Sequence, residues 1–204
     1  MRTLVFFWAF GLFMAASTAL ALQVEGVHIP ETMAVQDMQF RLNGAGIRTK
    51  FFFNLYVGAL YLKAPRSEGS ALVKADEPMA IRLHVLSKLI TSEKMEKATR
   101  EGFVQSTEGN TAKIEDRIET FIAVFKEEEI AKGDVFDLIY LPGQGTLACK
   151  NQGVLATVPG LDFKKALFGI WLSDHPVQNS LKQGMLGISS DTRHRSSSGR
   201  PLSG

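Results

Sequence analysis

The stretch that decides the fold is residues 42–62, with the sequence LNGAGIRTKFFFNLYVGALYL. It begins with the glycine-rich segment NGAG at residues 43–46, which predicts a turn. The residues that follow are dense in Phe, Tyr, Val and Leu, the types that favour strands. Because this run is long and aromatic, we expect it to form a strand in the interior of a sheet rather than at an edge.

Two polar side chains in this stretch are candidates for a binding site. Arg48 comes just after the glycines, and Tyr56 lies inside the apolar run. A guanidinium that enters an apolar sheet must find an anion or several acceptors, since burying an unpaired charge costs several kcal/mol. Arg48 therefore pairs with a carboxylate of the protein, faces water, or meets the anionic head of a ligand.

The spacing of Arg48 and Tyr56 sets a condition for a shared site. On a straight strand, eight residues span roughly 26 Å, which is too far for both side chains to contact one carboxylate. A shared site requires a bend, a bulge or a tight hairpin near residues 50–54. If the strand is straight, the two residues serve different purposes.

The rest of the chain has strand and helix patterns of an α+β domain. Short strands in residues 22–40 suggest an N-terminal hairpin, and residues 135–158 suggest an antiparallel meander with tight turns. Four helices are expected between and after the strands. The predicted strands are 79–86, 135–141, 146–150 and 154–158, and the predicted helices are 91–105, 111–128, 162–172 and 179–186.

Residues 1–21 have the three parts of a secretory signal peptide. Arg2 gives the basic start, residues 4–14 are apolar, and Ala19 and Ala21 form a small-x-small cleavage site. The apolar run is short for a membrane span of about 20 residues, so we expect cleavage after Ala21 rather than a retained anchor. The mature protein would be periplasmic or secreted, with no stable membrane span.

Composition predicts one globular domain, residues 22–188, followed by a disordered tail, residues 189–204. Hydrophobic residues make up 45% of the chain, enough for a sizeable core. The tail is poor in apolar residues and rich in Ser, Gly and Arg, which is typical of disorder. The net charge is +2, and the basic excess lies at the chain ends, so nothing indicates a nucleic-acid surface.

The motif content gives no sign of a metal, a cofactor or a nucleophile. No metal-ligand spacing, phosphate loop or Gly-x-Ser-x-Gly elbow occurs in the sequence. Cys149 is the one cysteine, lies in a predicted strand, and is expected to be a small buried side chain. His84, Asp174 and His175 have no catalytic partner at a suggestive spacing, so we expect structural roles for them.

Three blocks of the sequence resemble the chalcone isomerase family. Residues 44–62 resemble the Gly-x-Gly-x-Arg turn and the long strand that ends in Tyr-Leu. Residues 133–163 resemble the last hairpins of that fold, and residues 167–186 resemble its C-terminal helices. The resemblance implies an open-faced β-sandwich: a large antiparallel sheet with helices packed on one face and the ligand cleft between them.

The resemblance also implies roles for particular residues. The family includes isomerases that close a chalcone to a flavanone, and non-catalytic members, some of which bind fatty acids. In both, the arginine after the glycines faces the cleft, and Arg48 matches it. Tyr56 matches a tyrosine of the fatty-acid-binding members, where the isomerases have a threonine. The other polar positions of the isomerases fall at Met95, Gly102 and Ile170, so only Arg48 is kept.

This set of matched and unmatched polar residues favours binding over catalysis. A carboxylate ligand needs a two-pronged guanidinium contact, a hydroxyl donor and an apolar slot, and Arg48 and Tyr56 supply the polar part. The leading hypothesis is an exported, non-catalytic protein that binds a fatty acid or a similar apolar carboxylate. One alternative is an isomerase or intramolecular lyase acting on an unknown substrate. Another is an envelope scaffold or interaction domain whose cleft is filled by its own side chains.

Overall fold

The computed structural model describes residues 21–127 and 129–188, without the side chains of Ala21 and Glu127. The predicted signal peptide lies outside these residues except for Ala21, and the predicted tail, residues 189–204, lies outside them entirely. Within the described residues, nine strands and five α-helices form an α+β fold.

Seven of the strands form one antiparallel sheet in simple chain order, β3 to β9, and the other two form a separate hairpin. This confirms the predicted N-terminal hairpin and the predicted C-terminal meander. The strands are β1 Ala21–Val24, β2 Val27–Pro30, β3 Thr32–Val35, β4 Met38–Lys50, β5 Phe53–Leu62, β6 Met79–Val85, β7 Val135–Leu141, β8 Gly145–Lys150 and β9 Gly153–Val158.

The helices share one core with one face of the sheet. Thr91 caps α2 as the sequence predicts, because its side-chain oxygen accepts a hydrogen bond from the Lys94 backbone N–H at 3.3 Å. Within the described part of the chain, no helix has the length and apolarity needed to cross a bilayer. The helices are α1 Gly69–Lys74, α2 Ser92–Ser106, α3 Glu115–Glu127, α4 Leu161–Leu172 and α5 Asn179–Met185, with a 3₁₀ turn at Ala112–Ile114 before α3.

The alternation of side chains along the strands divides the apolar residues between two cores. On β5, Leu60 faces the helices, whereas Ala59 and Tyr61 face the β1–β2 hairpin on the opposite side of the sheet. The Tyr61 hydroxyl donates a hydrogen bond to the Pro30 carbonyl at 2.9 Å, which ties the hairpin to the sheet. The result is the predicted open-faced sandwich, with helices packed on one face.

The glycine-rich segment differs from the prediction. The sequence predicts a turn at residues 43–46 and one strand after it, but these residues lie inside β4. The chain reverses later, at Phe51 and Phe52, and returns as β5. The predicted single strand is therefore a hairpin of two long strands.

The glycines of β4 are required by the helix that lies on them. A Cβ on Gly44 would lie 2.7 Å from the Gly187 backbone nitrogen and closer still to the Gly184 carbonyl oxygen. On Gly46 it would lie 2.9 Å from the Leu181 carbonyl oxygen. These distances are shorter than van der Waals contact, so α5 can approach β4 this closely only over residues without side chains.

Candidate ligand-binding site

A pocket of about 500 Å³ lies between the sheet and helices α2, α3 and α4. Its lining is mostly aromatic and aliphatic, with a few polar groups, which is the usual composition of a site for a small apolar molecule. The apolar lining includes Leu55, Leu83, Phe136 and Leu138 from the sheet and Met95, Phe121, Phe125, Ile170 and Trp171 from the helices.

The β4–β5 hairpin brings Arg48 and Tyr56 together. The two residues are opposite each other in the register of the antiparallel pair. Opposed residues point to the same face, with Cβ atoms about 4.5–5.5 Å apart. A register shift follows immediately after Arg48, and the chain reverses two residues after that shift. The tight hairpin, one of the features that would allow a shared site, is therefore present, and both side chains line the pocket.

Arg48 has only neutral partners. Its Nη1 donates to the Gln178 side-chain oxygen at 3.0 Å and to the Thr49 carbonyl at 3.2 Å. Among the ion pairs between described residues, none involves Arg48. The guanidinium is half-buried, and its charge is not matched by a carboxylate in this part of the protein.

Gln178 holds Arg48 in place because it is itself held by the backbone. Its side-chain oxygen also accepts from the Thr49 N–H at 3.0 Å, and its amide donates to the Ile47 carbonyl at 3.1 Å. Gln178 directly precedes α5, so the helix that packs on the glycines also positions the partner of Arg48.

Tyr56 is 8% exposed, and its hydroxyl accepts a hydrogen bond from the Trp171 indole N–H at 3.0 Å. Among the hydrogen bonds of the described residues, none gives the hydroxyl proton an acceptor. Burial raises the pKa of Tyr56 above its usual value, against the lowering effects of the Trp171 bond and of the Arg48 charge. The hydroxyl therefore stays protonated near neutral pH and can donate into the pocket.

The mouth of the pocket carries an excess of positive charge. Of the described lining residues, Arg48, Lys50, Lys94 and Lys97 are basic and Glu101 is acidic. Such a cluster raises the local concentration of anions. Sequence reasoning did not identify these lysines, because lysine at the surface of a helix or a turn is too common to be a signal.

The positions that match the polar residues of the isomerases are closely packed and apolar. Met95 and Ile170 line the pocket, and Gly102 lies directly against Ile170. A Cβ on Gly102 would lie 2.9 Å from the Ile170 Cγ2 atom. The close contact between α2 and α4 therefore takes the space that a larger helix side chain would need.

The remaining candidate residues have structural environments. Cys149 is buried, as predicted, and burial raises the pKa of its thiol to about 11. The Asp174 carboxylate accepts a hydrogen bond from the Ser70 hydroxyl at 2.8 Å, and His84 is half-buried on β6. No group of three or more potential metal ligands occurs among residues 21–127 and 129–188.

Comparisons with known proteins agree with this architecture. The family model described as chalcone isomerase-like matches residues 21–187. The crystal structure of a fatty-acid binding protein from Arabidopsis thaliana is similar, with a TM-score of 0.65 and 17% identity, covering 79% of this chain and 92% of that chain. At this identity the similarity shows the fold alone, and no curated protein matches the chain. By the extent of the family match, the chain belongs to the chalcone isomerase-like family.

Proposed function

We propose that this protein binds a fatty acid or a similar apolar carboxylate in the pocket, without catalysing a reaction on it. The observation that carries the proposal is the pairing of Arg48, which has only neutral partners, with Tyr56, whose proton has no acceptor among the described residues. Both lie at an apolar pocket of about 500 Å³. The fold is shared with a protein described as fatty-acid binding.

The expected pose follows from the chemistry of the lining. The ligand carboxylate accepts charge-assisted hydrogen bonds from the Arg48 guanidinium and one from the Tyr56 hydroxyl. The alkyl chain then lies among side chains such as Leu83, Met95 and Phe121. The pocket volume is within the range of about 300–1,000 Å³ that is usual for small-molecule sites. A methyl ester would fill the same slot but would have no charge to offer Arg48.

Replacing Arg48 by Ala should weaken binding of the free acid by about 10- to 100-fold. The contact is charge-assisted and partly desolvated, so it is expected to contribute about 1.5–3 kcal/mol. Arg48→Lys should recover only part of the affinity, since an ammonium cannot make the planar two-pronged contact. Calorimetric titration of wild type and Arg48→Ala with a fatty acid and with its methyl ester measures this preference directly.

Two further variants make the test specific. Tyr56→Phe removes one neutral hydroxyl and should cost about 0.5–1.5 kcal/mol of binding free energy. Arg66→Ala removes an exposed arginine that pairs with Glu77 away from the pocket, and should leave affinity unchanged. If wild type bound acid and ester equally well, Arg48 would be a structural residue, and the scaffold alternative would become the better explanation.

We also propose that the protein is exported and cleaved after Ala21. Support comes from the apolar N-terminal segment with its Ala-x-Ala site, and from the family match, which begins where that segment ends. N-terminal sequencing of the protein from the periplasmic fraction should give Leu22 as the first residue. A periplasmic protein that still began at Met1 would contradict cleavage.

A further inference from the structure

The turn between β4 and β5 differs in chemistry from the other tight turns of the fold. Four hairpins within the described residues reverse through only two residues. Three of these turns are polar or contain glycine, as turn geometry favours. The turn pairs are Glu25 with Gly26, Gln36 with Asp37, Phe51 with Phe52, and Asn151 with Gln152.

Folding alone does not account for phenylalanine at this turn. Phe51 and Phe52 have φ of 48° and 69°, in the left-handed region that disfavours bulky residues. Nor do their side chains contribute to the core: Phe52 is fully exposed, Phe51 is 78% exposed, and the following Phe53 is 56% exposed. Phe51 and Phe52 thus combine an unfavourable backbone conformation with solvent-exposed apolar surface, and Phe53 extends that exposed surface. This combination points to a role in binding.

The exposed aromatic residues lie beside a further apolar side chain. Leu89 is 44% exposed in the loop between β6 and α2, and that loop is held against β5 by the hydrogen bond from the Leu86 N–H to the Leu55 carbonyl at 2.8 Å. Phe51, Phe53 and Leu89 all line the mouth of the pocket. We call residues 51–53 together with Leu89 the aromatic tip.

Positive charge surrounds the aromatic tip. Lys50, Lys94 and Lys97 line the same mouth, and the Lys50 Nζ atom lies 5.8 Å from the centre of the Phe51 ring. Glu93 and Glu101 on α2 offset part of this charge. Exposed aromatic side chains with lysines around them match the interface of a bilayer that contains anionic lipids.

We propose that the aromatic tip docks into the surface of an anionic lipid bilayer. The Phe side chains enter the boundary between headgroups and acyl chains, and the lysines contact lipid phosphates. A second copy of this chain fits the tip less well, because its pocket mouth carries the same positive charge. Docking places the mouth of the pocket at the lipid surface, so an apolar ligand would enter without crossing water. The docking itself does not require the proposed ligand.

Co-sedimentation with vesicles tests this proposal. Wild type should bind vesicles of equal parts phosphatidylcholine and phosphatidylglycerol at least about tenfold more tightly than vesicles of phosphatidylcholine alone. The double variant Phe51→Asn/Phe52→Gly should bind the mixed vesicles about 10- to 100-fold more weakly, since it removes two inserting rings. Lys94→Gln/Lys97→Gln should weaken binding about 25-fold, at roughly fivefold for each lysine.

The controls separate docking from folding. Asn-Gly is the preferred pair for this kind of turn, so Phe51→Asn/Phe52→Gly should melt at a higher temperature than wild type while losing vesicle binding. Val104→Ser and Lys113→Gln remove an exposed apolar and an exposed basic residue elsewhere, and should bind vesicles as wild type does.

Three results would overturn the proposal. The first is a wild type that does not prefer the anionic vesicles, and the second is a Phe51→Asn/Phe52→Gly variant that binds them as tightly as wild type does. A tip-dependent dimer of wild type in the absence of lipid would instead identify a second copy as the occupant. The calorimetric test of Arg48 uses free acid and no vesicles, so the two proposals succeed or fail independently.

Discussion

Replacing Gly44 by Val is expected to lower the free energy of unfolding by about 3 kcal/mol or more. Overpacking usually costs about 1–3 kcal/mol when side chains can adjust, and more when they cannot. Here a new Cβ would meet the backbone of Gly184, Met185 and Gly187, which has no rotamer to change. The cost is steric rather than conformational, because Gly44 is not among the glycines with a positive φ.

The substitution should also disturb the candidate site. The Asn43 side chain donates to the Met185 carbonyl at 2.9 Å, so displacing α5 breaks a second contact to β4. The same helix follows Gln178, the partner of Arg48. Residual folded protein should therefore bind a carboxylate less well, because the guanidinium loses its orienting acceptor.

Gly153→Val is the matched control for urea unfolding of Gly44→Val. Gly153 also lies in a strand, but its Cβ would have only the Lys150 carbonyl within 4 Å, at 3.4 Å. Valine favours strands, so this variant should be neutral or slightly stabilising. If Gly44→Val unfolded at the wild-type urea concentration with an unchanged slope, α5 would not pack on β4 as closely as described.

The glycines show why sequence reasoning succeeded for the strands and failed at this segment. Hydrophobic alternation and helix caps are local signals, and they located the strands of the meander and the start of α2. A glycine can allow either a turn of the chain or the close approach of another backbone segment. At residues 43–46 only the position of α5 decides between the two. Because α5 lies about 140 residues further along the chain, the contact leaves no local pattern at residues 43–46.

The candidate site could be predicted only in part, for the same reason. Arg48 and Tyr56 could be selected from composition and from the family resemblance, but the hairpin that joins them turns through Phe51 and Phe52, which no turn rule predicts. Their partners Gln178 and Trp171 are 130 and 115 residues away in the chain. Long-range contacts of this kind depend on the whole fold and not on a motif.

A second large loss of stability is expected when Lys164 is replaced. Lys164 belongs to α4, and its side chain is fully buried. Its ammonium donates to the carbonyls of Leu72, Val73 and Ala75 at 2.7, 3.0 and 2.8 Å, and so caps the C-terminal end of α1. Lys164→Met keeps the length of the side chain and leaves these carbonyls without their donor. We expect a loss of about 2–4 kcal/mol in the free energy of unfolding.

Lys165→Met is the matched control, since the neighbouring lysine is only half-buried. It should change the free energy of unfolding by no more than about 0.5 kcal/mol in chemical denaturation. Equal effects of the two substitutions would mean that the hydrogen bonds of Lys164 to α1 contribute nothing specific.

The pH dependence gives an independent test of the burial of Lys164. Burial lowers the pKa of Lys164 from its usual 10.5 to about 8, although the charge of Asp76 acts in the opposite direction. Between these two values the unfolded chain holds a proton that the folded protein has released, so the contribution of Lys164 to stability rises with pH. The difference in unfolding free energy between wild type and Lys164→Met should therefore grow from about pH 8 to 10.5. A constant difference over this range would mean that Asp76 and the three carbonyls outweigh burial and keep the amine protonated.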